Sequence, residues 1–102
     1  MNKIEKLNLI EGNFSNEEAK EILMNVFLAK IHYHEMKNFS SQERFGKDDV
    51  TAQKRIPELK KEINKVLEIV SEAKSLNKKM VITSEINIVF EWFNVYMIKF
   101  NH

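Results

Sequence analysis

The chain has 102 residues, of which 43% are hydrophobic and 30% are charged, and its formal net charge is +1. This length fits one domain, and two glycines and one proline leave little material for linkers, so residues 1–102 are predicted to form a single domain. The near balance of charge speaks against the strong positive field of a nonspecific nucleic-acid binder. The absence of cysteine excludes disulfides and thiolate metal sites.

The sequence also lacks the features of a secreted or membrane-spanning protein. Its start carries charges at Lys3, Glu5 and Lys6, where a signal peptide needs an apolar core. No run approaches the roughly 20 apolar residues of a membrane-spanning helix. We therefore expect a cytoplasmic protein with no membrane span.

A short apolar stretch near the start predicts a strand over residues 4–10, because it ends at the turn-like cluster Glu11-Gly12-Asn13. The first helix is predicted over residues 15–38. Ser15 and Glu18 match a capping box, in which the hydroxyl and the carboxylate each bind an otherwise free backbone N–H.

Apolar residues of this first helix alternate at spacings of four and three, the heptad pattern of a helix that packs lengthwise on another. The predicted seam consists of Ser15, Ala19, Ile22, Val26, Ala29, Tyr33 and Met36. Between residues 22 and 31, eight of ten residues are apolar, which exceeds the single stripe that one partner helix can bury. We therefore expect this helix to be contacted on at least two sides.

Polar residues and one glycine interrupt the pattern, so residues 39–48 are predicted to form a loop. A second helix is predicted over residues 49–77, capped by Asp48 or Asp49 and kinked at Pro57. Its heptad seam consists of Ala52, Ile56, Leu59, Ile63, Val66, Val70 and Ala73. The two helices are thus predicted to form a long antiparallel hairpin that resembles a coiled coil.

Beyond residue 79 the apolar residues alternate with a period of two, which predicts a strand over residues 80–91. Residues 93–100 fit either a second strand or a helix. The expected fold class is α+β, with the hairpin flanked by an N-terminal strand and one or two C-terminal strands. The alternative is an all-α bundle with a C-terminal helix.

The C-terminal region carries more apolar residues than one sheet face of a monomer can hide, since eleven of the fifteen residues from 86 to 100 are apolar. A short strand pair is hardly stable alone, whereas a second copy would complete the sheet. We therefore expect a homo-oligomer, most simply a dimer. The predicted interface residues are Ile86, Ile88, Phe90, Trp92 and Tyr96.

No motif predicts catalysis, a cofactor or a metal. His32 and His34 lie two residues apart on a helix and so point in nearly opposite directions, which prevents both from binding one metal ion. The serines at 40 and 41 are not in a nucleophile elbow. We expect a protein that is not an enzyme and that needs no cofactor.

The candidate positions for binding are the connection between the helices and the basic second helix, whose lysines are also explained by the solvation of an exposed face. Loops held by rigid elements often carry binding residues, although a loop of this composition is also an ordinary solvated connector. The candidate residues are Arg44, Phe45, Lys47, Lys54, Arg55 and Lys61. The sequence favours a small interaction or adaptor domain that binds itself and another protein. The alternative is a binder of nucleic acid or of an anionic ligand.

Overall fold

The computed structural model describes residues 3–92 of the chain. The elements follow the order β1 (Ile4–Phe14), α1 (Asn16–Phe45), α2 (Val50–Ser75) and β2 (Met80–Val89). β1 and β2 form a two-stranded antiparallel sheet, and α1 packs against α2. The fold class is therefore α+β as predicted, and the all-α alternative is wrong. The prediction for residues 93–100 lies outside the described residues.

The described residues divide into two units by contact: a helical unit, Asn13–Val81, and a strand unit built from residues 3–12 and 82–92. The helical unit holds α1, the connection and α2. The strand unit holds most of β1 and β2, and its described part is called the ribbon below. The single domain predicted for residues 1–102 stays a prediction.

Helix α1 begins with the predicted capping box. The Glu18 N–H donates to the Ser15 hydroxyl at 3.2 Å, and the Ser15 N–H donates to the Glu18 carboxylate at 3.0 Å. The helix ends at Phe45, where Gly46 takes a left-handed conformation with φ +68° and its N–H donates to the Gln42 carbonyl. Because glycine has no Cβ atom, Gly46 adopts this positive φ without steric strain.

The predicted end of this helix at residue 38, and with it the loop 39–48, is wrong. Residues 39–45 continue α1, and the connection consists of residues 46–49 only. The polar residues of this segment interrupt the apolar pattern, but Gln, Glu and Arg are good helix formers on an exposed surface. The helix therefore stops at Gly46, the first residue that readily leaves the helical conformation.

Helix α2 confirms its predicted seam. Its four buried residues are Ala52, Leu59, Val66 and Val70, and the three other seam positions are half-buried. Asp49 caps the helix, accepting a hydrogen bond from the Ala52 N–H at 2.9 Å. Pro57 lies inside the helix as expected. Asn77, just beyond the C-terminus, has φ +53°, the left-handed conformation that its side chain tolerates.

The predicted seam of α1 is wrong after Ala19 and Ile22. The residues that turn toward the helical core are Ala19, Leu23, Phe27, Ile31, His34 and Asn38, which are buried or half-buried. Val26, Tyr33 and Met36 remain exposed. Because residues 22–31 are apolar almost all round the helix, the sequence offers two stripes, and packing uses the one that holds Phe27 and Ile31.

Strand β1 is longer than predicted, because it passes through the cluster 11–13 and ends at Phe14. Gly12 has φ +151°, a conformation that favours glycine, so the strand continues where a turn was expected. Strand β2 ends at Val89, two residues before the predicted end at 91. The Phe90 N–H still donates to the Lys3 carbonyl at 2.9 Å, so pairing continues just past the strand.

Candidate functional site

The pairing of Lys3 with Phe90 defines which residues share a face of the ribbon. The hydrogen bond between their backbones places the two residues opposite each other, and the Lys3 ammonium lies 6.0 Å from the centre of the Phe90 ring. The same ammonium binds the Glu5 carboxylate at 3.1 Å. Residues 3, 5 and 90 therefore lie on one face, and the alternation of a strand assigns residues 7 and 9 of β1 and residues 86 and 88 of β2 to the same face.

This alternation gathers apolar side chains on one side of the ribbon. They are Leu7, Leu9, Ile86, Ile88 and Phe90, and we call them the apolar ribbon face. Their side chains keep 40% to 56% of their surface exposed. The opposite face carries Lys6, Asn8, Glu85 and Asn87 at its centre, with the exposed Ile4 and Val89 toward one end. An exposed apolar face of this kind is typical of an interaction surface.

Three of the predicted interface residues, Ile86, Ile88 and Phe90, thus lie together. Trp92 follows just beyond the strand and is 87% exposed. Tyr96 lies outside the described residues. Leu7 and Leu9 were not predicted as interface residues, although their spacing of two in an extended segment was a usable signal.

The six predicted binding residues do not form one cluster. Arg44 and Phe45 lie in the last turn of α1 with exposed side chains, and Lys47 lies in the connection. Lys54 and Lys61 lie seven residues apart on the exposed surface of α2, where carboxylates lie between the basic residues. Arg55 binds the Glu58 carboxylate at 3.0 Å. The positive charge of the basic residues on α2 is therefore partly compensated by neighbouring carboxylates.

The connection is a fixed corner organised by Asp48, a role that sequence reasoning missed. Its carboxylate accepts hydrogen bonds from the side-chain amides of Gln42 at 2.6 Å, Gln53 at 2.7 Å and Asn38 at 3.3 Å. The Asn38 amide oxygen accepts in turn from the Asp49 N–H at 2.7 Å. Both helices are thus tied to one carboxylate, and this corner has a structural role.

The two histidines in the middle of α1 differ in their surroundings. His32 is exposed and His34 is buried between the helices, where its ring lies edge-on to Tyr33 with 5.3 Å between ring centres. Over residues 3–92, no three His, Asp or Glu residues are grouped to hold a metal ion. Within the same range, neither helix combines the length and the apolar character needed to cross a bilayer.

Comparison of the chain with models of protein families, with curated proteins and with solved structures found no match.

Proposed function

We propose that this chain is a small, non-enzymatic interaction domain that self-associates as a dimer through the apolar ribbon face and Trp92. The observation that carries the proposal is the exposure of five apolar side chains on one side of the ribbon. Complete burial of a Leu, Ile or Phe side chain contributes roughly 1.5–3 kcal/mol. Covering this face would therefore contribute on the order of several kcal/mol to association.

A second copy is the partner that the ribbon favours. A two-stranded ribbon is marginally stable in water, and it gains stability once three or more strands share a hydrophobic face. Over residues 3–92 the sheet has only two strands, so two ribbons in contact would supply the missing cover for each other. Because the same face serves on both copies, the contact can obey two-fold symmetry.

The experiment is light scattering on size-separated protein, comparing the wild type with Ile88→Lys. We expect a dimer for the wild type and a monomer for Ile88→Lys, because a lysine on the apolar ribbon face opposes burial of that face. The matched control is Asn87→Lys, which adds the same side chain on the opposite face of the same strand and should stay dimeric. Circular dichroism checks that each variant is folded.

Two results would overturn the proposal: a wild type that is monomeric at all accessible concentrations, or a folded Ile88→Lys variant that keeps the wild-type mass. Absorbance at 260 and 280 nm across the same peak addresses the alternative function. Nucleic acid that elutes with the protein and is removed by salt would favour binding through Lys54, Arg55 and Lys61 instead.

A further inference from the structure

Helix α1 carries a second apolar stripe beside the one that packs against α2. It consists of Ile22, Val26, Ala29, Tyr33 and Met36, and we call it the open stripe. Its spacings of four and three are those of a coiled-coil seam. Ile22 is half-buried, but Tyr33 is 51% exposed and Met36 is 54% exposed. The helical core therefore uses one side of α1 and leaves the seam positions from Val26 to Met36 exposed on another.

A groove runs between the open stripe and α2. It is lined by Val26, Phe27, Ala29, Lys30, Tyr33 and Leu59, all within the helical unit. The residues that line it are mainly apolar. Such a groove suits the apolar face of a further helix, which would contact α1 in the same manner as α2 does.

One edge of the open stripe is basic. Lys30, Lys37 and Arg44 follow one another at intervals of seven residues, so they lie in a row along the helix. All three are exposed, and the Lys30 ammonium lies 4.7 Å from the centre of the Tyr33 ring. In a helical seam, residues at this edge contact the edge of the partner helix and set which partner fits.

The charges disfavour a second copy of α1 in this place. An antiparallel copy would bring the row of Lys30 and Lys37 against the same row of its partner, with repulsion of like charges. A parallel copy would place Asn25 and His32 opposite those lysines, and neither side chain is a carboxylate. Residues 93–102 offer no better match, since they contain Lys99 and no acidic residue.

We infer that the open stripe binds an amphipathic helix of another protein that carries carboxylates along the edge facing Lys30 and Lys37. This inference rests on the proposed role as an interaction domain and gives the chemistry of its second partner. The ribbon would hold two copies together, and each copy would present one open stripe. The assembled dimer would thus bind two such helices.

The test uses the full chain and a synthetic probe. A fluorescent peptide of about three heptads carries Leu at the seam positions and Glu at both edges, and a second peptide carries Lys in place of Glu. We expect the wild type to bind the Glu peptide at least about tenfold more tightly than the Lys peptide in fluorescence anisotropy. Higher salt should reduce this preference.

Charge exchange gives the sharpest comparison. The double variant Lys30→Glu with Lys37→Glu should reverse the preference and bind the Lys peptide more tightly. Its matched control is Lys54→Glu with Lys61→Glu, which makes the same change of charge at the same spacing on α2 and should keep the wild-type preference. Val26→Glu should lose both peptides, whereas Leu28→Glu, exposed on the same helix but outside the stripe, should keep them.

The inference is overturned if neither peptide binds, if the preference is absent, or if the α2 control reverses it as well. A Val26→Glu variant that is monomeric would assign the stripe to self-association and would also overturn it. The two proposals fail separately. Ile88→Lys should be monomeric yet bind the Glu peptide, so a loss of dimers and a loss of peptide binding are observed in different variants.

Discussion

His34 is the polar residue that the two helices bury. Its side chain is only 5% exposed, and among the described residues its Nε2 atom has no hydrogen-bond partner. An unpaired buried polar atom costs about 1–3 kcal/mol, whereas an apolar side chain of similar size avoids that cost. The position thus lowers the stability of a seam that is otherwise mainly apolar.

We therefore expect His34→Leu to raise the free energy of unfolding by about 1 kcal/mol. Urea denaturation followed by circular dichroism measures the change. His32→Leu is the control, because His32 is exposed and its replacement should change stability little. A less stable His34→Leu protein would mean that the imidazole makes a favourable contact through a partner outside the described residues or through water.

Glu18 is the residue whose ionisation supports the start of α1. The hydrogen bond from the Ser15 backbone N–H is the main cause that holds the pKa of Glu18 below its ordinary value. The hydrogen bond with the Ser15 side chain is the second cause. The positive charge of Lys79 lowers it further, while burial acts in the opposite direction. A lowered pKa in the folded state means that the ionised carboxylate stabilises the fold.

The stabilisation should be complete above the ordinary Glu pKa of about 4.3 and should disappear as the pH falls through the lowered folded value. Glu18→Gln removes the titration but keeps an oxygen that can accept from the Ser15 N–H. The difference in melting temperature between the wild type and Glu18→Gln should therefore shrink from pH 7 toward pH 3. Glu17→Gln is the control; an equal pH dependence for both would contradict a specific role of the capping box.

At the scale of the elements, the hairpin depends on a corner of only a few residues. Asp48 accepts from amides on both helices, and Asp49 both caps α2 and donates to Asn38. Removing the Asp48 carboxylate leaves three amide groups without this partner, although water can reach all of them. The cost should therefore stay near that of an ordinary exposed hydrogen-bonded group.

Asp48→Ala should lower the free energy of unfolding by about 1 kcal/mol, measured in urea. Lys47→Ala is the matched control, because the Lys47 contact in this corner is made by its backbone carbonyl, which accepts from the Ser41 hydroxyl and survives the change. If Arg44, Phe45 and Lys47 form a binding site, Asp48→Ala should weaken the affinity for a partner more than it lowers the free energy of unfolding. The corner would then be more than a connector.

The elements also show where sequence reasoning was sufficient. On α2, most positions outside the seam are charged or polar, so the sequence offers one main apolar stripe, and this stripe is predicted residue by residue. On α1, the apolar run from 22 to 31 supports two stripes, and periodicity alone cannot choose between them. The choice depends on how Phe27 and Ile31 fill the space against α2, which is a property of the packed pair.

The predicted end of α1 and the predicted end of β1 are wrong for related reasons. Residues 40–44 are polar, and this polarity predicts a loop, but an exposed helix needs only residues that tolerate helical geometry. The cluster 11–13 predicts the end of β1 at residue 10, although its glycine equally allows a strand to continue with an unusual φ. The Asp48 corner needs both helices in place before its partners meet, so no local pattern announced it.

At the scale of the whole molecule, the two surfaces that we propose for partners differ in their chemistry. The apolar ribbon face carries no charge row of its own apart from the Lys3–Glu5 pair, and so it suits contact with an identical face. The open stripe has a basic edge and so suits an acidic helix. The sequence predicted the C-terminal half of the ribbon face but not Leu7 and Leu9, because their place there depends on the pairing of Lys3 with Phe90.

The outer edges of the two ribbon strands determine whether assembly stops at a dimer or continues. Over residues 3–92 each strand has one outer edge without a strand partner, and so exposes unpaired backbone donors and acceptors. Face-to-face contact of two ribbons closes on itself and leaves those edges free. If ribbons instead paired edge to edge, head to tail, each added copy would present a new unpaired strand edge. The product would then be a fibre of unlimited length.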